Sequence, residues 1–140
     1  MIHTLLKTLC FIAFLTLSAQ ATMASGEAMG QQKEQVQKSE IKGDIEAARA
    51  SWALIKEGAL LIDVRSVKEF ESGNIEGSLN IPHTNIDALA QAIGADHERK
   101  VVVYCRSGRR SGLAQKNLQK IGYTGIFNAT GYTALLATKP

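Results

Sequence analysis

Cysteine is scarce in this chain of 140 residues, which has only Cys10 and Cys105, too few for a disulfide scaffold. Histidine is equally thin: His3, His83 and His97 stand apart, with none of the spacings that build a metal centre, so no metal is expected. There are two prolines, aromatic residues make up 6%, and 45% of the chain is hydrophobic against 21% charged, which excludes collagen-like, mucin-like and wholly disordered chains. No apolar run approaches the roughly 20 residues that a membrane span needs. Nor does one sign of charge dominate, with 16 Lys and Arg against 13 Asp and Glu. The positives are scattered except at Arg106, Arg109 and Arg110, so nucleic acid is not an expected partner. One ordinary globular domain fits this composition.

The first residues bear on the compartment. Lys7 precedes the apolar residues 9–17, LCFIAFLTL, and Ala19-Gln20-Ala21 supplies the small-x-small pattern of a signal peptidase site. Residues 1–21 are therefore expected to be a cleaved export signal, giving a periplasmic protein with no stable membrane insertion. Cleavage would remove Cys10 and leave Cys105 as the single thiol in an oxidising compartment, where cysteines are usually paired. An unpaired cysteine there either has a chemical task or is hidden.

Residues 22–43 are polar and rich in Gln, Lys and Glu, and read as a tether with some helix. From Asp44 the pattern changes, and residues 44–140 are expected to form the domain. Ile45, Ala48, Trp52 and Ile55 recur at helical spacing, with Asp44 as N-cap, Gly58 as stop and Trp52 in the core. Residues 59–64, ALLIDV, suit a strand buried on both faces. Ser66-Val67-Lys68-Glu69 is a capping box opening a short helix that stops at Gly73. Residues 79–82 suggest a short strand, and residues 84–87 repeat the capping-box pattern before a helix that stops at Gly94. Residues 101–104 form a third apolar strand, followed by a helix closed at Gly122. Ile126 and Phe127 suggest another strand, and residues 132–137 a final helix. Alternating strands and helices predict an α/β domain: one parallel sheet with helices on both faces.

Ligands of such sheets bind beyond the carboxyl ends of the strands, and Cys105 falls there, after the strand and ahead of a helix beginning near Ser111. Gly108 permits a backbone turn that aims successive N–H groups inward as an anion-binding nest, and the following helix adds the positive end of its dipole. Arg106, Arg109 and Arg110 add permanent positive charge. Each influence favours thiolate over thiol, so Cys105 is expected to be an exposed nucleophile beside groups that can hold an oxyanion.

The segments YCRSGRRS (residues 104–111), LIDVR (61–65) and EFESGNIEGSLNIP (69–82) together resemble the rhodanese family. The resemblance covers residues 44–137, and with the export signal it is nearest to small exported single-domain members. It implies a single rhodanese-like domain and a thiosulfate sulfurtransferase. Cys105 would take the outer sulfur of thiosulfate, become a persulfide and pass the sulfur to a thiophilic acceptor such as cyanide, without a cofactor. Arg106, Ser107, Gly108, Arg109 and Arg110 would bind the small anionic donor, and Asp63 and Arg65 match the family's strand-end pair as supporting residues. By chemistry alone, Arg65 is most simply an ion-pair partner of Glu69. The chain is expected to act as a monomer. It departs from the family's pattern at Asn74 and Glu76, and at Gly131-Tyr132, where paired glycines are usual.

Two rival readings can be weighed, the first of them in the same fold. A phosphatase would need Arg at the sixth position after the cysteine, where this chain has Ser111, and a thiol-disulfide oxidoreductase would need a second cysteine where Ser107 and Gly108 stand. A different class remains open: a persulfide carrier or thiol-sensing binding module with little turnover, which needs the same reactive thiolate.

Overall fold

The computed structural model describes residues 24–140. The expected export signal, residues 1–21, lies outside the described residues. The chain divides into two units, Met1–Lys38 and Ser39–Pro140. The described part of the first is the beginning of helix α1, Ala24–Lys56. Asp44 is not an N-cap: the helix continues straight through it. The Glu, Gln, Lys and Ala of the polar stretch are strong helix formers and no proline interrupts them, so propagation is cheap without an apolar face. Met29 to Asp44 are exposed, and burial on the helix starts with Ile45. No helix among the described residues is long and apolar enough to cross a membrane.

The second unit is α/β. Four parallel strands, β1 (Leu60–Asp63), β2 (Leu79–Asn80), β3 (Val101–Cys105) and β4 (Ile126–Gly131), lie in the order β2-β1-β3-β4. Helices α2 (Val67–Glu71), α3 (Ile86–Ile93), α4 (Arg109–Lys120) and α5 (Tyr132–Ala137) connect or follow them. The central strand β3 is buried along its whole length, as its run of apolar residues predicts. Its odd positions, Val101, Val103 and Cys105, pack with Leu89 and Ile93 of α3 and with Ala114 and Leu118 of α4. Its even positions, Val102 and Tyr104, face Ala48 and Trp52 of α1 and Leu135 of α5. Helices therefore cover both faces, as the alternation of elements predicts. Trp52 is a core residue whose Nε1–H donates to the Leu135 carbonyl at 3.0 Å, tying α1 to α5.

The local signals hold at α2, where Ser66 and Glu69 form both halves of the capping box. They shift by one residue at α3, where Asn85 rather than Thr84 is the cap and its side chain accepts from the Ala88 N–H at 3.1 Å. The Asn side chain reaches the exposed N–H from the later position, leaving Thr84 outside the helix.

A buried ion pair closes the carboxyl end of β1. Arg65 donates to both Asp63 oxygens, with Nη2 at 2.6 Å from Oδ2, and the same Nη2 donates to the Gly73 carbonyl at 2.6 Å. Its guanidinium lies 4.4 Å from the centroid of the Tyr132 ring. Arg65 is thus paired with Asp63 and not, as the sequence suggests, with Glu69: the backbone turn after β1 returns its side chain to the residue two before it. The pair fastens the loop after α2 and the start of α5 to the strand that borders β3. Arg65→Met should cost about 3–5 kcal/mol in urea unfolding, because it strands a buried carboxylate, and adding Asp63→Leu should recover part of the loss. A cost for Arg65→Met within experimental error of zero would refute the role of this pair as a clamp.

Candidate active site

Cys105 ends β3, and the chain turns at once through Arg106, Ser107 and Gly108 into α4. Gly108 has φ 83°, the left-handed region, and an added Cβ would lie 3.2 Å from the Thr130 Cα. The positive φ favours glycine there, as the sequence predicts, and the second fact leaves little room for a side chain. The helix starts at Arg109, two residues earlier than its sequence signal, so the N–H groups of Arg110 and Ser111 belong to its first turn and have no helical acceptor. Arg106, Ser107 and Arg109 are exposed on the rim of the turn.

The thiol itself departs from expectation. Cys105 has 0% exposure and is free of any disulfide. Burial pushes its pKa up, but hydrogen bonds from the Ser111 hydroxyl and from the backbone N–H groups of Ser111, Ser107 and Arg110 outweigh it and leave the thiol below its ordinary value. The nest of N–H groups read from the sequence is therefore present, around a sulfur that lies beneath the loop rather than on its surface. The strand's alternation places residue 105 on the same face as Val101 and Val103, which is why the side chain turns inward.

Arg110 has a different setting from the other two arginines. It makes a two-pronged pair with Glu69 of α2, Nη1 to Oε2 and Nη2 to Oε1, each at 2.7 Å. Glu69 thus serves the capping box of α2 and the first turn of α4 at once. Arg110 holds the Glu69 carboxyl far below the usual carboxylate range. Glu69 is in turn the largest influence favouring the Arg110 cation, with the Cys105 sulfur contributing beside it.

The other residues singled out in the sequence are distributed around the sheet. Asp63 ends the neighbouring strand β1, and Arg65, two residues beyond it, completes the buried pair. Gly131 abuts the loop from β4: a Cβ there would meet the Arg106 carbonyl at 2.9 Å, whereas the following Tyr132 is accommodated over Arg65. Asn74 donates to the Phe70 carbonyl at 3.2 Å, and Glu76 pairs with Lys139 at 3.5 Å, so both departures from the family pattern have local partners. His97 stacks on Tyr123 with ring centroids 4.3 Å apart, and its carbonyl accepts from Thr124 ahead of β4, at the opposite end of the sheet from Cys105.

Sequence reasoning missed Asn128. It lies in β4, accepts a hydrogen bond from the Ser111 hydroxyl at 2.7 Å and donates to the Gly108 carbonyl at 3.0 Å. The signal available was a polar residue in the otherwise apolar or small run IFNATG.

A family model described as a rhodanese-like domain matches residues 47–137. The chain is 36% identical over 70 residues to thiosulfate sulfurtransferase PspE of Escherichia coli, a match covering 50% of this chain and 67% of that protein. It is 42% identical over 83 residues to a mitochondrial protein of Schizosaccharomyces pombe, covering 51% of this chain but only 58% of that relative's length. Among solved structures, the human single-domain sulfurtransferase superposes with a TM-score of 0.54 at 31% identity, over 65% of this chain and 92% of that one. A rhodanese with anions from Escherichia coli superposes with a TM-score of 0.52 at 35% identity, over 55% of this chain and 91% of that one. With the family model covering most of the α/β unit and the cysteine turn inside it, the chain belongs to the rhodanese family.

Proposed function

We propose that the protein is a thiosulfate sulfurtransferase working through a Cys105 persulfide. The observation that carries this reading is a buried cysteine sulfur whose negative charge is favoured by backbone N–H groups and a hydroxyl, with no second cysteine in the loop. In the first step the Cys105 thiolate attacks the outer sulfur of thiosulfate. The new Sγ–S bond forms as the S–S bond of thiosulfate breaks, and sulfite leaves with the bonding electrons. In the second step an acceptor such as cyanide attacks the outer persulfide sulfur, thiocyanate leaves, and the thiolate is restored. Charge is conserved at each step, and neither needs an oxidant, a metal or an organic cofactor.

The protein groups supply binding and electrostatics. Arg106 and Arg109 on the rim and Arg110 beside the sulfur meet the dianionic donor, and the inward N–H groups hold the persulfide anion once sulfite has gone. Because Cys105 lies beneath the turn, donor and acceptor must both approach past it. Relatives named as sulfurtransferases support the reading.

The deciding experiment is the mass of the protein after incubation with thiosulfate. It should gain one sulfur on Cys105, lose it to cyanide, and neither gain nor turn over sulfur as Cys105→Ser. Persulfide formation without turnover to any thiophile would favour the carrier reading, and no sulfur gain at all would overturn both.

Arg110 and Glu69 give a second test. Arg110→Ala should lower kcat/KM for thiosulfate by roughly a hundredfold, and Glu69→Gln by less, because the guanidinium remains but loses its anchor. The depressed Glu69 pKa also fixes a sign: the pair stabilises the fold fully above the unfolded carboxylate value, about 4.3, and progressively less as pH falls below it. The stability gap between wild type and Glu69→Gln should therefore be constant near neutrality and narrow in acid. A gap that widens on acidification would contradict the pairing.

We further propose export to the periplasm by the segment 1–21. Amino-terminal sequencing of the periplasmic fraction should start at Thr22; an intact amino terminus in the membrane fraction would favour an uncleaved anchor.

A further inference from the structure

Asn128 stands where β4 loses register with β3. Val103 pairs with Asn128, but Cys105 pairs with Gly131, so β4 carries one extra residue between them. The strain falls on Thr130, which has φ 67° and is the one non-glycine residue with positive φ among the described residues. Asn128 Oδ1 accepts the Thr130 N–H at 3.0 Å and so holds the bulge, while Nδ2 donates to the Gly108 carbonyl at 3.0 Å and so holds the cysteine turn. These two bonds fix which way the amide faces, because exchanging its oxygen and nitrogen would set donor against donor and acceptor against acceptor.

The third partner is Ser111. Its hydroxyl has one hydrogen and three acceptors in reach: Asn128 Oδ1 at 2.7 Å, the Gly108 carbonyl at 3.0 Å and Cys105 Sγ at 3.5 Å. The carbonyl is already served by Asn128 Nδ2, which leaves the amide oxygen and the sulfur as the competitors. We propose that Asn128 is a positioning residue of the sulfur-transfer site, which sets whether the buried Ser111 hydroxyl points at the sulfur without itself touching the donor. The inference rests on the function proposed above for what the sulfur does, though not for how the hydroxyl is held. While Cys105 is a thiol, Ser111 donates to Asn128 at the distance favoured for O–H···O bonds. When the sulfur becomes an anion, the hydroxyl turns to it for a charge-assisted bond. Asn128 Oδ1 then still has the Thr130 N–H, so the exchange leaves no buried acceptor without a partner. The site gains a donor for the charged sulfur without any backbone movement.

The test reads the thiol directly, as the pH dependence of Cys105 alkylation by iodoacetamide in the full chain, with folding followed by circular dichroism. Asn128→Asp places a carboxylate that outcompetes the sulfur for the Ser111 hydrogen, and should raise the alkylation midpoint by about one pH unit, a tenfold loss of thiolate. In a Ser111→Ala background the same substitution should shift the midpoint by less than half as much. Asn128→Ala, which adds no charge, provides a second cycle and must likewise be non-additive with Ser111→Ala; it decides the matter alone if the aspartate variant does not fold. Equal shifts with and without Ser111 would overturn the proposal, because a merely structural or long-range effect does not pass through that hydroxyl. Absence of sulfur transfer in the wild type would sink the functional reading yet leave the alkylation cycles to decide the role of Asn128.

Discussion

A sulfur atom with no exposed surface, whose negative charge the surrounding groups nonetheless favour, is the feature on which the rest of this site depends. Burial alone works against the thiolate. The opposing influences are all local: N–H groups from Ser107, Arg110 and Ser111, and the Ser111 hydroxyl. They converge on one point only because Gly108 takes a left-handed turn that redirects the chain within three residues of the strand end. That turn in turn demands room, which β4 provides by bulging at Thr130 and by presenting Gly131, without a Cβ, to the Arg106 carbonyl. The glycines and the positive φ of Thr130 thus accommodate the same tight turn that brings the N–H groups to the sulfur.

The arrangement reaches further through Glu69. A carboxylate that caps its own helix and grips Arg110 couples the entry of α2 to the first turn of α4. It leaves Arg110 a fixed cation beside the sulfur, while Arg106 and Arg109 remain on the exposed rim. The three arginines of the loop therefore have at least two tasks. A permanent charge near the sulfur is useful only if its direction is held, and a side chain as long as arginine needs an anchor for that. The Asp63–Arg65 pair does comparable work one strand away, holding the loop at Gly73 and the Tyr132 ring against the sheet.

Much of this is legible in the sequence because the signals are local. Apolar runs of four or five residues mark strands buried on both faces, the Ser66-Glu69 spacing marks the start of α2, and a lone cysteine ahead of a glycine-containing basic turn marks the site. The features that escape depend on choices that only tertiary structure makes. Arg65 is flanked by two carboxylates in sequence, Asp63 and Glu69, and composition does not say which one the turn brings to it. Asn128 is one polar residue in a short strand, and its value comes wholly from a register shift that no periodicity displays. Polar neighbours suggest a thiol at the surface, but strand alternation governs Cys105, and loop composition governs only the residues after it. The continuous α1 helix escapes for the opposite reason: its residues favour helix individually yet show no buried face, and an apolar stripe is the signal by which helices are read.

The geometry also bears on why this turn suits sulfur better than a phosphoryl group. A loop that wraps a tetrahedral phosphoryl group needs a guanidinium at the sixth position after the cysteine. Here that position is Ser111, fully buried, with its hydroxyl between Asn128 and the sulfur. An arginine could not be placed there without opening the interface between α4 and β4, where even the neighbouring Gly112 leaves its would-be Cβ 3.3 Å from Asn128 Nδ2. The nearest arginine, Arg110, comes one residue too early and is already turned toward Glu69. The helix also begins directly after Gly108, so the turn has three residues in which to encircle a ligand. Three residues are too few to surround three phosphoryl oxygens, whereas the single additional sulfur of the proposed persulfide would need only the N–H groups that already face Cys105. The same tightness that gathers N–H groups around the sulfur thereby limits the size of any group that could sit on it under the proposed function.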